Sequence, residues 1–191
     1  MIIGITGGTG CGKTTLLELI RQAGGVVLDC DAIYHRLLQT DTALLAAIEG
    51  RFPGTVEEGV LQRKKLGAIV FSDKVALEDL NRITHSAIDR EVQRLLTPEP
   101  ALAAIDAIAL LESGMAKRCH VTVAVTAPEE ARIARIMARD GITEEYARAR
   151  IAAQPSNEYF SKNCGYTLEN DGTAEDFRCK CLAFLRQLAI I

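Results

Sequence analysis

The sequence has no surplus of positive charge: 22 basic residues stand against 25 acidic ones, for a formal net charge of −3. That excludes the global basic field of a nucleic-acid-binding protein, so any polyanion must be met by local cations and the expected partner is a small molecule. Nor is there a long apolar run. The longest weakly polar stretch, Ala101 to Ala116, is interrupted by Asp106 and Glu112 and is too short to cross a bilayer as a clean helix, so no membrane span is expected. No basic-then-apolar signal segment precedes the opening residues, which implies a cytoplasmic chain. The six cysteines, at 11, 30, 119, 164, 179 and 181, lack the spacing of a secreted disulfide framework, and reduced thiols are expected. Cys164, Cys179 and Cys181 make a poor zinc set, because a CxC pair near the end of an amphipathic segment points its two side chains to different faces. Internal repeats, low-complexity tracts and linkers are absent. With 191 residues, 48% of them hydrophobic, the chain is expected to form one domain with small insertions.

What is present alternates short apolar runs with longer stretches of helical periodicity, the pattern of an α/β domain on a mostly parallel sheet. Strands are expected at Ile2 to Thr6, Gly25 to Asp29, Leu102 to Asp106, His120 to Thr126 and, more weakly, Tyr166 to Glu169. Helices are expected near Lys13 to Gln22, Ala32 to Leu38, Thr42 to Phe52, Arg63 to Val70, Lys74 to Leu96, Pro128 to Arg139, Glu144 to Ala153 and Ala174 to Leu188. Asp73 reads as the N-cap of the long helix and Thr97-Pro98 as its end. Thr126-Ala127-Pro128-Glu129 has capping-box spacing, and Gly141 separates two helices that form an arm after the fourth strand.

Gly7-Gly8-Thr9-Gly10-Cys11-Gly12-Lys13-Thr14 satisfies G-x-x-x-x-G-K-[ST], with a strand before it and a helix after it. Small residues let successive backbone N–H groups curl around a phosphate at the positive end of a helix. The cradle therefore comprises Gly8, Thr9, Gly10, Cys11, Gly12, Lys13, Thr14 and Thr15. Lys13 reaches the β- and γ-phosphates and the Thr14 hydroxyl coordinates Mg²⁺, so ATP with magnesium is the simplest ligand. A helix N-terminus also lowers the pKa of a thiol such as Cys11, although bound phosphate would shield it.

Two acids end the strand Val26-Val27-Leu28-Asp29-Cys30-Asp31, where ligands bind in open α/β sheets, and strand alternation points Asp29 and Asp31 the same way. Asp31 either orients and deprotonates an attacking hydroxyl or caps the following helix; both hold if Asp29 is the cap. Asp106 ends another apolar strand, as a holder of Mg²⁺ or as a turn residue. Arg132, Arg135 and Arg139 stack on one helix face by spacing. That face is either solvated and balanced by Glu129 and Glu130, or it closes over a transferring phosphate; the phosphate loop favours the second reading. Spacing gives His85 and Arg63 no functional signal.

Taken together, the chain resembles the dephospho-coenzyme A kinases, through "GITGGTGCGKTT", "LDCDAIYHRLL", "EEGVLQRKKLGAIVFSD", "LEDLNRITHSAI", "IDAIALLES", "EEARIARIMARDGITEEYARARIAAQ" and "LENDG". The resemblance implies a three-layer P-loop fold around a five-stranded sheet, with core residues 1–30, 101–126 and 165–191. A helical acceptor-binding region would span about 31–97 and a helical lid about 127–163. It implies transfer of phosphoryl from ATP, with Mg²⁺, to the 3′-hydroxyl of dephospho-coenzyme A, with no obligate protein partner. By that resemblance Asp31 acts on the hydroxyl, Arg63 and His85 help form the acceptor site, Arg135 and Arg139 belong to the lid, Asp106 lies near magnesium and Asn170 lies near the base-binding loop. The catalytic set is then Lys13, Asp31 and Arg139. Departures from the family pattern fall mainly on the acceptor side: Gln62 before Arg63, Ser86 after His85, and Ile108 two residues after Asp106. A glutamine common at the start of the lid is Arg132 here, which leaves Arg132 outside the implied site. The rival readings are a kinase of another small hydroxyl or nucleotide acceptor, a nucleotide-dependent switch, and an ATP-binding protein without transfer.

Overall fold

Strand β1 (Ile2–Thr6) is buried along its whole length, which is why Ile2-Ile3-Gly4-Ile5-Thr6 reads as an unbroken run and not as an alternating one. In the computed structural model, which describes residues 1–191, it is the middle of a five-stranded sheet. The other strands are β2 (Val26–Asp29), β5 (Ala103–Asp106), β6 (Val121–Thr126) and β7 (Tyr166–Glu169), in the order β2-β5-β1-β6-β7. β1 pairs in parallel with β5 and β6, and β6 pairs in parallel with β7. The chain fills one side of β1 first and the other side afterwards, a strand order that opens a ligand crevice at the carboxyl ends of the central strands.

Residues 1–28 and 100–191 form one compact unit. Its core joins Ile3 and Ile5 of β1 and Val123 and Val125 of β6 to two helices, α1 (Lys13–Gln22) and α9 (Ala174–Gln187). Leu16 and Ile20 of α1, and Phe177 and Leu185 of α9, are essentially inaccessible to water there. Each such side chain contributes about 1.5–3 kcal/mol of burial. The same unit carries α6 (Glu129–Asp140), α7 (Glu144–Ala152) and α8 (Asn157–Asn163). α6 and α7 pack on each other through a small apolar core of their own, Ile133, Ile136, Ala147 and Ile151.

Residues 29–99 form a second compact unit of four helices, α2 (Cys30–Thr40), α3 (Thr42–Arg51), α4 (Arg63–Val70) and α5 (Lys74–Leu95), with a hairpin of β3 (Val56–Glu57) and β4 (Val60–Leu61). α2, α3 and α4 all pack on α5. Ion pairs from Arg36 to Glu91 and from Arg51 to Asp79, each 2.6 Å, add to this packing.

The five expected strands and eight expected helices are all present, with no end shifted by more than two residues. Three elements were not expected: the β3–β4 hairpin, α8 and a 3₁₀ turn over Met115–Arg118. The hairpin turns on Glu58 and Gly59, both at positive φ, where glutamate is an unusual occupant. Asp73 caps α5 as expected, accepting from the Val75 and Ala76 N–H groups. The capping box expected at Thr126 does not form: α6 has Pro128 at its N-cap and no side-chain cap. A capping box occurs instead at Thr173 and Asp176, ahead of α9. Strand alternation does not carry through to Asp31, because α2 begins at Cys30 and Asp31 lies in its first turn.

Candidate active site

β1 ends at Thr6, and the glycine-rich loop delivers the chain into α1 at Lys13. Gly12, the N-cap of α1, has no side chain to occupy the first-turn N–H groups, so they remain available to an anion at the positive helix end. Lys13 Nζ donates to the Gly7 carbonyl at 2.9 Å and stands 3.8 Å from an Asp106 carboxylate oxygen. Asp106 reaches this position because it is in register with Ile5, one residue before the end of β1.

Three successive loop carbonyls are held from outside. Thr9 O accepts from Arg132 Nε at 2.9 Å, Gly10 O from Arg135 Nη1 at 3.2 Å and Cys11 O from Asn170 Nδ2 at 2.9 Å. Arg135 Nη2 also donates to Asn170 Oδ1 at 3.1 Å. In a planar trans peptide the carbonyl and the following N–H point in opposite directions. Tying these carbonyls outward therefore turns the N–H groups of Gly10 and Gly12 to the loop's inner side, where a phosphate is received. Gly7 is required by its positive φ and by close approach, since a Cβ there would meet the Val125 backbone carbonyl oxygen at 2.1 Å, and a Cβ at Gly8 would displace the Arg132 guanidinium. Cys11 is fully buried, and burial outweighs the cations Arg132 and Lys13, pushing its thiol pKa up; the helix N-terminus does not activate it.

The three arginines of α6 thus do not act as one face awaiting anions. Arg132 is 4% exposed and Arg135 half-buried, and both are spent on loop carbonyls. Arg139 is exposed and doubly bonded to Asp140, at 2.7 and 2.9 Å, with Arg150 on the same carboxylate at 2.6 Å. The Arg139 hydrogen bonds, reinforced by Arg150, hold the Asp140 carboxyl down at about 2. Glu129 and Glu130 pair with Arg148 and not with these arginines.

Nothing in the sequence pattern marks Gln154. Its Oε1 accepts from the Thr9 N–H at 2.8 Å and from Arg132 Nη2 at 3.2 Å, and its Nε2 donates to the Thr9 hydroxyl at 2.7 Å.

In the second unit, Asp29 caps α2 by accepting from the Ala32 N–H at 3.0 Å, which leaves the exposed Asp31 carboxylate outside the capping role. Tyr34 and His35 lie three and four residues on from Asp31, over the same helical face. Their rings are 5.9 Å apart, and Arg63 Nη2 stands 3.4 Å from His35 Nδ1. Burial raises the Tyr34 phenol pKa, and the Arg63 guanidinium partly offsets it. His85 is half-buried on α5, which packs on α2. Gln62 starts α4 with its N–H on the Thr55 carbonyl, Ser86 accepts from Arg90, and the Ile108 carbonyl accepts from the Thr6 hydroxyl.

Asp106 and the exposed Thr14 hydroxyl offer hard oxygen donors beside the phosphate loop, a set that fits Mg²⁺, which binds through one or two protein oxygens and the substrate's phosphates. No cluster of three or more His, Cys, Asp or Glu groups is gathered to hold a metal by protein ligands alone.

A glycine-rich loop ending in Lys13-Thr14 between the central parallel strand and its helix defines the P-loop fold found in P-loop kinases. A shikimate kinase from Bacteroides thetaiotaomicron shares this fold at a TM-score of 0.59 and 14% identity, covering 99% of this chain and 98% of its own. More specifically, the dephospho-CoA kinase family model matches residues 1–176, and the chain belongs to that family. A dephospho-CoA kinase from Thermus thermophilus is 38% identical, covering 98% of this chain and 92% of its own length. A crystal structure from Thermus thermophilus superposes with a TM-score of 0.81 at 37% identity, covering 98% of this chain and 97% of its own.

Proposed function

We infer that the protein phosphorylates dephospho-CoA with ATP to give CoA and ADP, the activity of its family, with the ribose 3′-hydroxyl as acceptor. The observation that carries the inference is the match to the dephospho-CoA kinase family over residues 1–176, and the outward tethering of the Thr9, Gly10 and Cys11 carbonyls supports the phosphate-binding role of its loop.

The acceptor oxygen attacks the γ-phosphorus, the bond from that phosphorus to the β-bridging oxygen breaks, and ADP departs. Asp31, released from capping by Asp29, orients the hydroxyl and takes its proton. Lys13 and the residue 8–15 loop hold the donor phosphates, and Lys13 leaves the Gly7 carbonyl to do so. Arg139 exchanges Asp140 for the transferring phosphoryl group when the arm closes, while Arg135 and Asn170 hold the nucleotide side of the loop in shape. Arg63 and His85, with Tyr34 and His35 beside Arg63, receive the anionic acceptor. Thr14 and Asp106 would hold Mg²⁺, which when bound supplies charge neutralisation between the phosphates. We place the enzyme in the cytoplasm with its two small-molecule substrates and no protein partner. No helix is long and apolar enough to cross a membrane.

The test is ADP release with ATP and Mg²⁺ against dephospho-CoA, adenosine or no acceptor, with the product weighed. Release that requires dephospho-CoA and adds one phosphoryl group is expected. Equal release without acceptor, or release with adenosine alone, would overturn the acceptor while keeping the loop.

A further inference from the structure

Thr9 presents three polar groups at the mouth of the phosphate loop, and all three are taken by side chains 123 or 145 residues away. Its N–H and hydroxyl go to the two ends of the Gln154 amide, and its carbonyl goes to Arg132. The amide orientation is set by this network, because Oε1 faces two donors while Nε2 faces a hydroxyl oxygen. Arg132 sits in the first turn of α6, where the arm leaves the core, and Gln154 follows α7, its own N–H bonded to the Ile151 carbonyl. The two ends of the arm therefore converge on one loop residue. Arg132 is buried and charged, so its bonds to the two oxygens are of the stronger kind and hold their geometry without water.

Resting on the kinase reading above, we propose that Gln154 is a positioning residue for phosphoryl transfer. It holds the Thr9 N–H and hydroxyl directly and braces Arg132, which holds the carbonyl of the Thr9–Gly10 peptide, and so couples the arm to the aim of the phosphate-binding amides. The preorganisation of such dipoles matters most in the transition state, so its loss falls on kcat more than on acceptor binding.

The experiment compares Gln154→Ala, Gln154→Glu, Thr9→Val and the Gln154→Ala/Thr9→Val double variant in steady-state assays, with melting curves and amide hydrogen exchange on the nucleotide-free proteins. Gln154→Ala is expected to lower kcat about 10- to 100-fold, with the KM for dephospho-CoA within about twofold. Gln154→Glu keeps an acceptor for the Thr9 N–H and Arg132 and is expected to recover most of that loss. Adding Thr9→Val to Gln154→Ala should change kcat by less than about twofold, since the hydroxyl's partner is already gone. Unchanged kcat in folded Gln154→Ala, a Gln154→Glu as slow as alanine, or independent multiplication of the two losses would overturn the proposal. Should Gln154→Ala fail to fold, Thr9→Val alone decides, a several-fold fall in kcat at near-normal Tm being expected and an unchanged kcat contradicting it. Wild-type protein that transfers nothing to dephospho-CoA sinks the acceptor reading alone. The clamp is then judged by the Thr9 amide, which should exchange faster in Gln154→Ala than in wild type, with Gln154→Glu close to wild type because its carboxylate still accepts from the Thr9 N–H; equal protection in Gln154→Ala and wild type refutes it.

Discussion

The two units hold their chemistry in different ways. In the first, the loop carbonyls of Thr9, Gly10 and Cys11 are bonded by side chains more than a hundred residues away, two of them buried. In the second, Asp31 and Arg63 are exposed, and Arg63 Nη2 stands 3.4 Å from His35 Nδ1. The donor loop is thus held by buried, long-range side-chain hydrogen bonds, whereas Asp31 and Arg63 lie exposed at the surface of their unit. Damage to the first should appear in kcat and stability; in the second, damage to Arg63 should appear in acceptor KM and damage to the Asp31 base in turnover.

Among the groups that bind the substrates, the largest expected effect is on the donor side. Lys13→Ala removes the cation that moves from the Gly7 carbonyl to phosphate, and kcat should fall by about 10²–10³ in the same ADP-release assay. Arg132→Ala strips the Thr9 carbonyl and one bond to Gln154, and an unsatisfied buried group costs about 1–3 kcal/mol. Each kcal/mol should lower Tm by about 2–4 °C in a chain of this size, measured by calorimetry. Arg63→Ala should do the reverse, raising the KM for dephospho-CoA about tenfold while leaving the KM for ATP and Tm unchanged. A matching rise in the KM for ATP would break the division between the units.

The smallest effect concerns pH. The carboxyl of Asp140 is held at about 2, below the usual ~3.9, so its pairing with Arg139 and Arg150 adds stability above about pH 4 and loses it as pH falls through 2. Asp140→Asn should therefore melt slightly below wild type at neutral pH, and the gap should close in acid. The gap is small because the carboxylate is exposed.

The loop, the sheet and most helices were legible because their signals are local: a glycine spacing, an apolar run, a 3.6-residue period. The β3–β4 hairpin escaped because its turn places glutamate where asparagine or glycine is usual. Asp31 was readable as base or cap, and the Asp29 bond to Ala32 removes the capping reading. Gln154 and Arg132 were not legible as loop partners, since a clamp between residues 123 and 145 positions apart leaves no periodic trace. The helical spacing of Arg132, Arg135 and Arg139 was real, but it could not tell carbonyl partners from phosphate.

The most direct test of the account is to measure ATP affinity and turnover side by side in Asp31→Asn. The account predicts a Kd for ATP within about twofold of wild type and turnover lower by about 10²–10⁴, because the loop is intact and only the hydroxyl's base is lost. Full turnover in that variant, or ATP binding lost along with it, would contradict the division of labour between a preset donor loop and a separate acceptor carboxylate.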